Sequence, residues 1–148
     1  MSDQATSVAA WEALFRAQVA VMRQLGEDFP REDISFNEYD VMYTLTRAVN
    51  RSLRLRDLNR FVLLTQPSVS RLVDRLAARG LVEKLPDPRD ARGTIIRLTD
   101  SGHAVFYRLA LVHGASIDRL VGDALDKEEL EQLTALCNKL REGIPGVG

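Results

Sequence analysis

Cysteine is almost missing from this chain: Cys137 is the one thiol in 148 residues. A lone thiol excludes an internal disulfide and any zinc site built on clustered cysteines. Histidine is as scarce, with His103 and His113 alone, so no histidine-based metal centre is expected. No apolar run approaches the ~20 residues needed to cross a bilayer. The opening Met1-Ser2-Asp3-Gln4-Ala5-Thr6-Ser7 has neither the basic nor the apolar region of a signal peptide. A glycine-rich phosphate loop, a histidine metal motif and a nucleophile elbow are absent too, so an enzyme is not expected. These absences lead to the expectation of a cytoplasmic protein with no metal and no cofactor.

What is present is an ordinary globular mixture, 45% hydrophobic and 28% charged. That composition argues against disorder, and the length favours a single domain over residues 1–148. The net charge of −1 says nothing about a polyanionic partner, but its distribution does. Residues 1–50 carry −4, residues 51–108 carry +6 and residues 109–148 carry −3. Every basic residue of the middle segment except Lys84 is arginine. A basic centre between acidic ends suggests a localised surface for a polyanion; a solvated charged face is the plain alternative.

Hydrophobic periodicity organises the rest. Trp11, Leu14, Phe15, Gln18, Val21, Met22, Leu25 and Phe29 recur in steps of three and four, the pattern of an amphipathic helix closed by Pro30. Ser35 with Glu38 reads as a capping box opening a second helix, which carries Tyr39, Met42, Tyr43 and Leu45 and ends near Asn50-Arg51-Ser52. Leu55, Leu58 and Val62 mark a short third helix. Thr65 is placed to cap a fourth, with Pro67 in its first turn. There Val69, Leu72, Val73 and Leu76 form a buried stripe, while Ser70, Arg71, Asp74 and Arg75 face away from it. Gly80 suits a left-handed helix end.

The period then shortens. Leu81–Leu85 and Thr94–Leu98 are rich in strand formers, and Pro86–Gly93 between them reads as a polar, exposed hairpin loop. Thr99 caps a fifth helix, in which Gly114 is a point of bending. Asp126 with Glu129 opens a last helix, whose Leu130, Leu133, Cys137, Leu140 and Ile144 recur almost as a heptad.

Short helix, turn, capped helix with a Ser/Arg face, then a charged hairpin: this order predicts a winged helix-turn-helix. The fold class is mainly α with a small antiparallel β wing. A helix of this kind can lie in the major groove, with Gln66, Ser68, Ser70, Arg71 and Arg75 placed to reach bases and phosphates; the plain alternatives are an accessory cap for Ser68, a polar first-turn residue for Gln66 and solvated side chains for the two arginines. Arg89 faces phosphate. Arg92 suits a narrow minor groove, with Asp90 two residues earlier folding back onto its guanidinium. Asp87 reads as turn-forming.

The stretches Leu55–Leu58, Thr65–Leu76, Arg79–Val82, Asp87–Gly93 and Leu98–Gly102 resemble the MarR family of bacterial regulators. The Asp-x-Arg of the wing and the following Leu-Thr-x-x-Gly are its most specific parts. The resemblance implies a DNA-binding region over 34–100 and dimerisation helices over 5–30 and 100–144. It implies a homodimer on a pseudo-palindromic duplex operator, with repression more expected than activation. Arg56 departs from the Ser or Thr that relatives place as third-helix cap; the change either weakens that cap or gives an extra phosphate contact. The implied DNA-contacting set is Arg56, Thr65, Gln66, Pro67, Ser68, Ser70, Arg71, Arg75, Arg89, Asp90 and Arg92.

Two further readings follow. Trp11, Phe15, Gln18, Phe36, Tyr39, Met42 and Tyr43 are aromatic and apolar with a few polar tips, the make-up of a small-molecule site, with Arg16 and His103 nearby to meet a charge. By resemblance the ligand is a small aromatic or lipophilic carboxylate or phenol; core packing explains the same spacing. Cys137 is a candidate redox sensor, against a buried inert thiol in an apolar stripe. The competing function is a winged-helix protein-interaction module.

Overall fold

The structure, a computed structural model, describes residues 3–30, 34–62 and 66–145. In chain order these form α1 (Gln4–Asp28), α2 (Phe36–Thr46), β1 (Ser52–Arg54), α3 (Leu55–Phe61), α4 (Gln66–Ala78), β2 (Val82–Asp87), β3 (Asp90–Leu98), α5 (Asp100–Ile117) and α6 (Lys127–Glu142). The three strands make one antiparallel sheet in the order β1-β3-β2. The chain divides into two compact units, one of Met1–Asp28 with His113–Gly148 and one of Phe29–Val112.

The Phe29–Val112 unit has a continuous core. Val41, Met42 and Leu45 of α2, Leu58 of α3, and Val69, Leu72, Val73 and Leu76 of α4 are buried with Ile96 and Leu98 of β3. The i, i+3, i+4, i+7 spacing in α4 thus lands on the interior, each such side chain contributing about 1.5–3 kcal/mol of burial. Phe29, Phe36, Tyr39 and Phe106 close the core with ring contacts: the Phe29 ring meets Phe36 and Tyr39 edge-on, centroids 5.4 Å apart in both cases, and Tyr39 stacks on Phe106 at 5.1 Å.

The local signals hold where they rest on adjacent residues. Ser35 Oγ accepts from Glu38 N–H at 3.1 Å, and Glu38 Oε1 accepts from Ser35 N–H at 3.3 Å. Asp126 and Glu129 do the same at 2.9 and 3.0 Å. Gly80 ends α4 with φ of 73°. Thr99 Oγ1 accepts from Gly102 N–H at 3.0 Å and donates to the Gly80 carbonyl at 2.7 Å, tying the end of α4 to the start of α5. A Cβ at Gly102 would stand 2.0 Å from the Leu81 carbonyl oxygen, so no other residue fits that close approach.

Four local readings change. Helix α2 stops at Thr46 rather than near Ser52; a 3₁₀ turn, Val49–Arg51, follows, with Asn50 and Arg51 at φ of 56° and 53°. Between that turn and α3 lies β1, whose three residues are too few to show a period. The expected loop Pro86–Gly93 is mostly strand: β2 reaches Asp87 and β3 starts at Asp90, leaving Pro88-Arg89 as the turn. Pro86 is tolerated there because β2 is an edge strand, where a missing N–H breaks no inner ladder. The helix runs straight through Gly114, and its irregularity falls later, in a π-helical turn at Asp118–Gly122.

In the other unit, His113 is buried and desolvation lowers its pKa. The unfolded chain therefore binds this proton first as pH falls, and stability declines below the ordinary imidazole value of about 6.5. Urea unfolding at pH 7.5 and 5.5 checks this: His113→Gln is expected to show a smaller acid-induced loss than the parent. An identical loss in both proteins would remove His113 from the account.

Candidate nucleic-acid interface

Helix α4 is amphipathic because its inward stripe is aliphatic and its other side polar. Arg71, Asp74 and Arg75 are exposed; Ser68 and Ser70 are half-buried. The Arg71 guanidinium donates to Ser68 Oγ at 3.4 Å. Asn37, in the first turn of α2, joins Ser68, Arg71, Leu72 and Arg75 around an open groove of about 250 Å³. Asn37 carried no signal in the sequence, since only tertiary packing brings α2 to α4. Gln66 and Pro67 lie in the first turn of α4; Thr65 falls outside the described residues.

At the wing, Asp87 Oδ1 accepts from Arg89 N–H at 2.9 Å and Asp90 Oδ1 accepts from Arg92 N–H at 3.0 Å. Asp90 thus shapes the hairpin backbone, where the sequence suggested a hold on the Arg92 guanidinium. An Asp two residues before an N–H closes a local turn more easily than it reaches a long flexible side chain. Arg89 and Arg92 are exposed at the tip. Asp87 makes its turn as expected, but is also buried and ion-paired with Arg54, Nε to Oδ2 2.8 Å.

The third-helix cap needs correction. Arg54, not Arg56, occupies the cap position of α3, with φ of −64°, ψ of 143° and no side-chain cap bond. Arg56 lies inside the first turn and is exposed. With Arg54, Asp87 and Arg92 it lines a cleft of about 150 Å³ between α3 and the wing.

The partners of the basic residues sort them into two groups. Arg51 pairs with Asp100, Arg54 with Asp87, Arg60 with Asp57, Lys84 with Asp74 and Arg97 with Glu83. Arg56, Arg71, Arg75, Arg89 and Arg92 have no ion-pair partner among the described residues. Within the 51–108 segment, these five unpaired cations fall on α3's first turn, the outer face of α4 and the wing tip. Such a distribution attracts a polyanion, because each cation is neutralised only by what docks there.

The expected effector residues divide between the units. Trp11 and Phe15 touch on α1, ring centroids 5.7 Å apart, and Trp11 is 59% exposed; Gln18 is exposed as well. In the other unit Tyr39 and Met42 are buried, Phe36 is half-buried and Tyr43 is exposed beside Phe106 at 6.2 Å. Arg16 is exposed and His103 packs near Phe106. Cys137 is half-buried on α6. Among the described residues there is no cluster of potential metal ligands, and no helix is long and apolar enough to cross a membrane.

A helix pair with an outward arginine face, followed by a two-stranded hairpin with arginines at its tip, defines a winged helix-turn-helix. Residues 32–93 match the MarR family. The multiple antibiotic resistance protein MarR of Escherichia coli is 29% identical over 118 residues, covering 80% of this chain and 81% of that protein. The homoprotocatechuate degradative operon repressor of Escherichia coli is 28% identical over 141 residues, covering 90% and 93%. Among solved structures, Sco3205, a MarR family transcriptional regulator from Streptomyces coelicolor in complex with DNA, superposes with a TM-score of 0.78 at 25% identity, covering 98% of this chain and 91% of that one. The similarity to the MarR family is thus carried by residues 32–93, and the fold it shares with a solved MarR family regulator extends over nearly the whole chain.

Proposed function

We propose that this protein is a cytoplasmic, non-enzymatic repressor that binds duplex DNA as a homodimer and is released by a small aromatic or lipophilic effector. The observation that carries the DNA reading is the set of arginines without an ion pair among the described residues on α3, α4 and the wing tip, in a segment where Arg51, Arg54, Arg60, Lys84 and Arg97 are paired. In this reading the region 34–100 reads DNA. Helix α4 enters the major groove with Gln66, Ser70, Arg71 and Arg75. Arg92 enters the adjacent minor groove, and Arg56, Ser68 and Arg89 meet phosphate. Similarity to an operon repressor and to a regulator in complex with DNA supports it.

Dimerisation rests on the apolar surface that one chain leaves uncovered on α1 and α6, where Trp11, Phe15, Leu136 and Leu140 are exposed, and on Ile144 just beyond α6. A two-fold dimer requires two similar half-sites with centres roughly one helical turn, ~10 base pairs, apart. The test is fluorescence anisotropy with promoter-derived and scrambled duplexes across a salt series. Tight binding to a pseudo-palindrome, weakening with a slope of about −0.9 per phosphate neutralised, is expected. Binding to no duplex at any salt would overturn the reading and favour a protein-interaction module.

The effector part rests on the exposed aromatic pair Trp11 and Phe15 of α1. A tenfold loss of DNA affinity needs only ~1.4 kcal/mol of preferential ligand binding to the DNA-free form. A thermal-shift screen of aromatic acids and lipophilic metabolites, with DNA binding repeated for each stabilising compound, decides it. Stabilisers that leave DNA affinity untouched would leave a constitutive DNA binder.

A further inference from the structure

Arg54 stands among the arginines of the DNA face, yet its charge is turned inward. Its Nε lies 2.8 Å from Asp87 Oδ2, and the Asp87 side chain is only 2% exposed against 29% for Arg54. Arg54 is both the last residue of β1 and the cap residue of α3. Asp87 is the last residue of β2, and its other oxygen accepts from Arg89 N–H at 2.9 Å. The opposite strand is pressed onto the same carboxylate: a Cβ at Gly93 would stand 3.0 Å from Asp87 Cβ and 3.1 Å from its Oδ2. Next along that strand Asp90 Oδ1 holds Arg92 N–H at 3.0 Å. One buried carboxylate thus joins the start of α3, the turn of the hairpin and the strand bearing Arg92.

We infer that Arg54 is a positioning residue for DNA recognition: through Asp87 it fixes the wing against the first turn of α3, and so sets where Arg92 stands relative to α4. The inference rests on the DNA-binding reading above and adds a residue that reading does not use. A wing and a helix that must enter neighbouring grooves together gain from being held in register before binding, because ordering them on the duplex would cost affinity. Arg54 performs this through Nε, the atom that faces the buried carboxylate. A two-residue hairpin turn has little else to brace it: Pro88 and Arg89 are both exposed.

The test uses the full-length protein with R54M, which keeps the stem and removes the charge, and R54K, which keeps the charge. In the free protein, amide hydrogen exchange at Arg89 and Arg92 is expected to speed up at least tenfold in R54M, with α6 amides unchanged as the control for folding. R54K is expected to retain most of the protection, and carries the test if R54M unfolds. On DNA, R54M is expected to bind about tenfold more weakly with an unchanged salt slope, and R54M/R92A no more weakly than R92A alone. Unchanged exchange at Arg89 and Arg92 would overturn the clamp whatever the DNA result. A salt slope smaller by about one per protomer would make Arg54 a phosphate contact instead. Additive losses in the double variant would overturn the coupling to Arg92. If exchange responds as expected but the parent protein binds no duplex, the DNA reading fails and the positioning role with it, while the clamp remains.

Discussion

Arg92→Ala is expected to weaken operator binding by about a hundredfold. Arg92 is exposed at the wing, its backbone N–H is held by Asp90, and its guanidinium has no carboxylate partner among the described residues. A charge-assisted hydrogen bond contributes about 1.5–3 kcal/mol, and a dimer has two wings, so the loss is about 3 kcal/mol at the lower end. The slope of log affinity against log salt should fall by about one for each wing. Because the minor groove distinguishes A·T from G·C only coarsely, the loss should be largest on duplexes with A-tracts flanking the half-sites. Anisotropy titrations over a salt series measure both quantities. Equal binding by the variant and the parent at every salt concentration would remove the wing from the interface.

Leu133→Glu or Leu140→Glu is expected to split the dimer. In α6, Leu130, Leu133, Cys137 and Leu140 follow steps of three and four, which line up on one side of a helix; Ile144, read as their continuation, lies past the helix end at Glu142. Leu133 and Leu140 remain 41% and 52% exposed in a single chain, and neighbouring Leu136 is 64% exposed. The capping box fixes where the helix starts and does not account for the stripe; a contiguous apolar stripe left this exposed points to a covering partner. Two-fold symmetry places each substitution at the interface twice. Losing two leucine burials costs about 3 kcal/mol, and two uncompensated carboxylates cost more, so the dimer constant should rise more than a hundredfold. Sedimentation at micromolar concentration is expected to give a dimer for the parent and a monomer for either variant, with operator affinity lost in parallel. A parent protein that sediments as a monomer would defeat both this prediction and the homodimer.

The wing shows where reading from residues reaches its limit. Its strand formers and turn residues were legible, but strand length was not, since backbone pairing carried β2 and β3 through Pro86 and Asp90. The cap of α3 was misread by two residues because β1, only three residues long, leaves no periodic trace. The effector residues show the same limit in another form. The aromatic spacing of α2 is equally that of a core helix, and Met42 proved fully buried.

What the sequence by itself determined are the features carried by residues within one or two turns of each other: both capping boxes, the buried stripe of α4, the glycine ending it, and the order of helices and hairpin. These depend on i, i+3 and i+4 geometry, which is the same wherever a helix forms. The tertiary structure alone decided which arginines remain free. Arg51 meets Asp100 and Arg54 meets Asp87 across tens of residues, whereas Arg71, Arg75 and Arg92 meet no carboxylate among the described residues. A charge is neutralised only by a group within a few ångströms, and that neighbour is set by how β1, β2 and α5 fold back together, not by position along the chain.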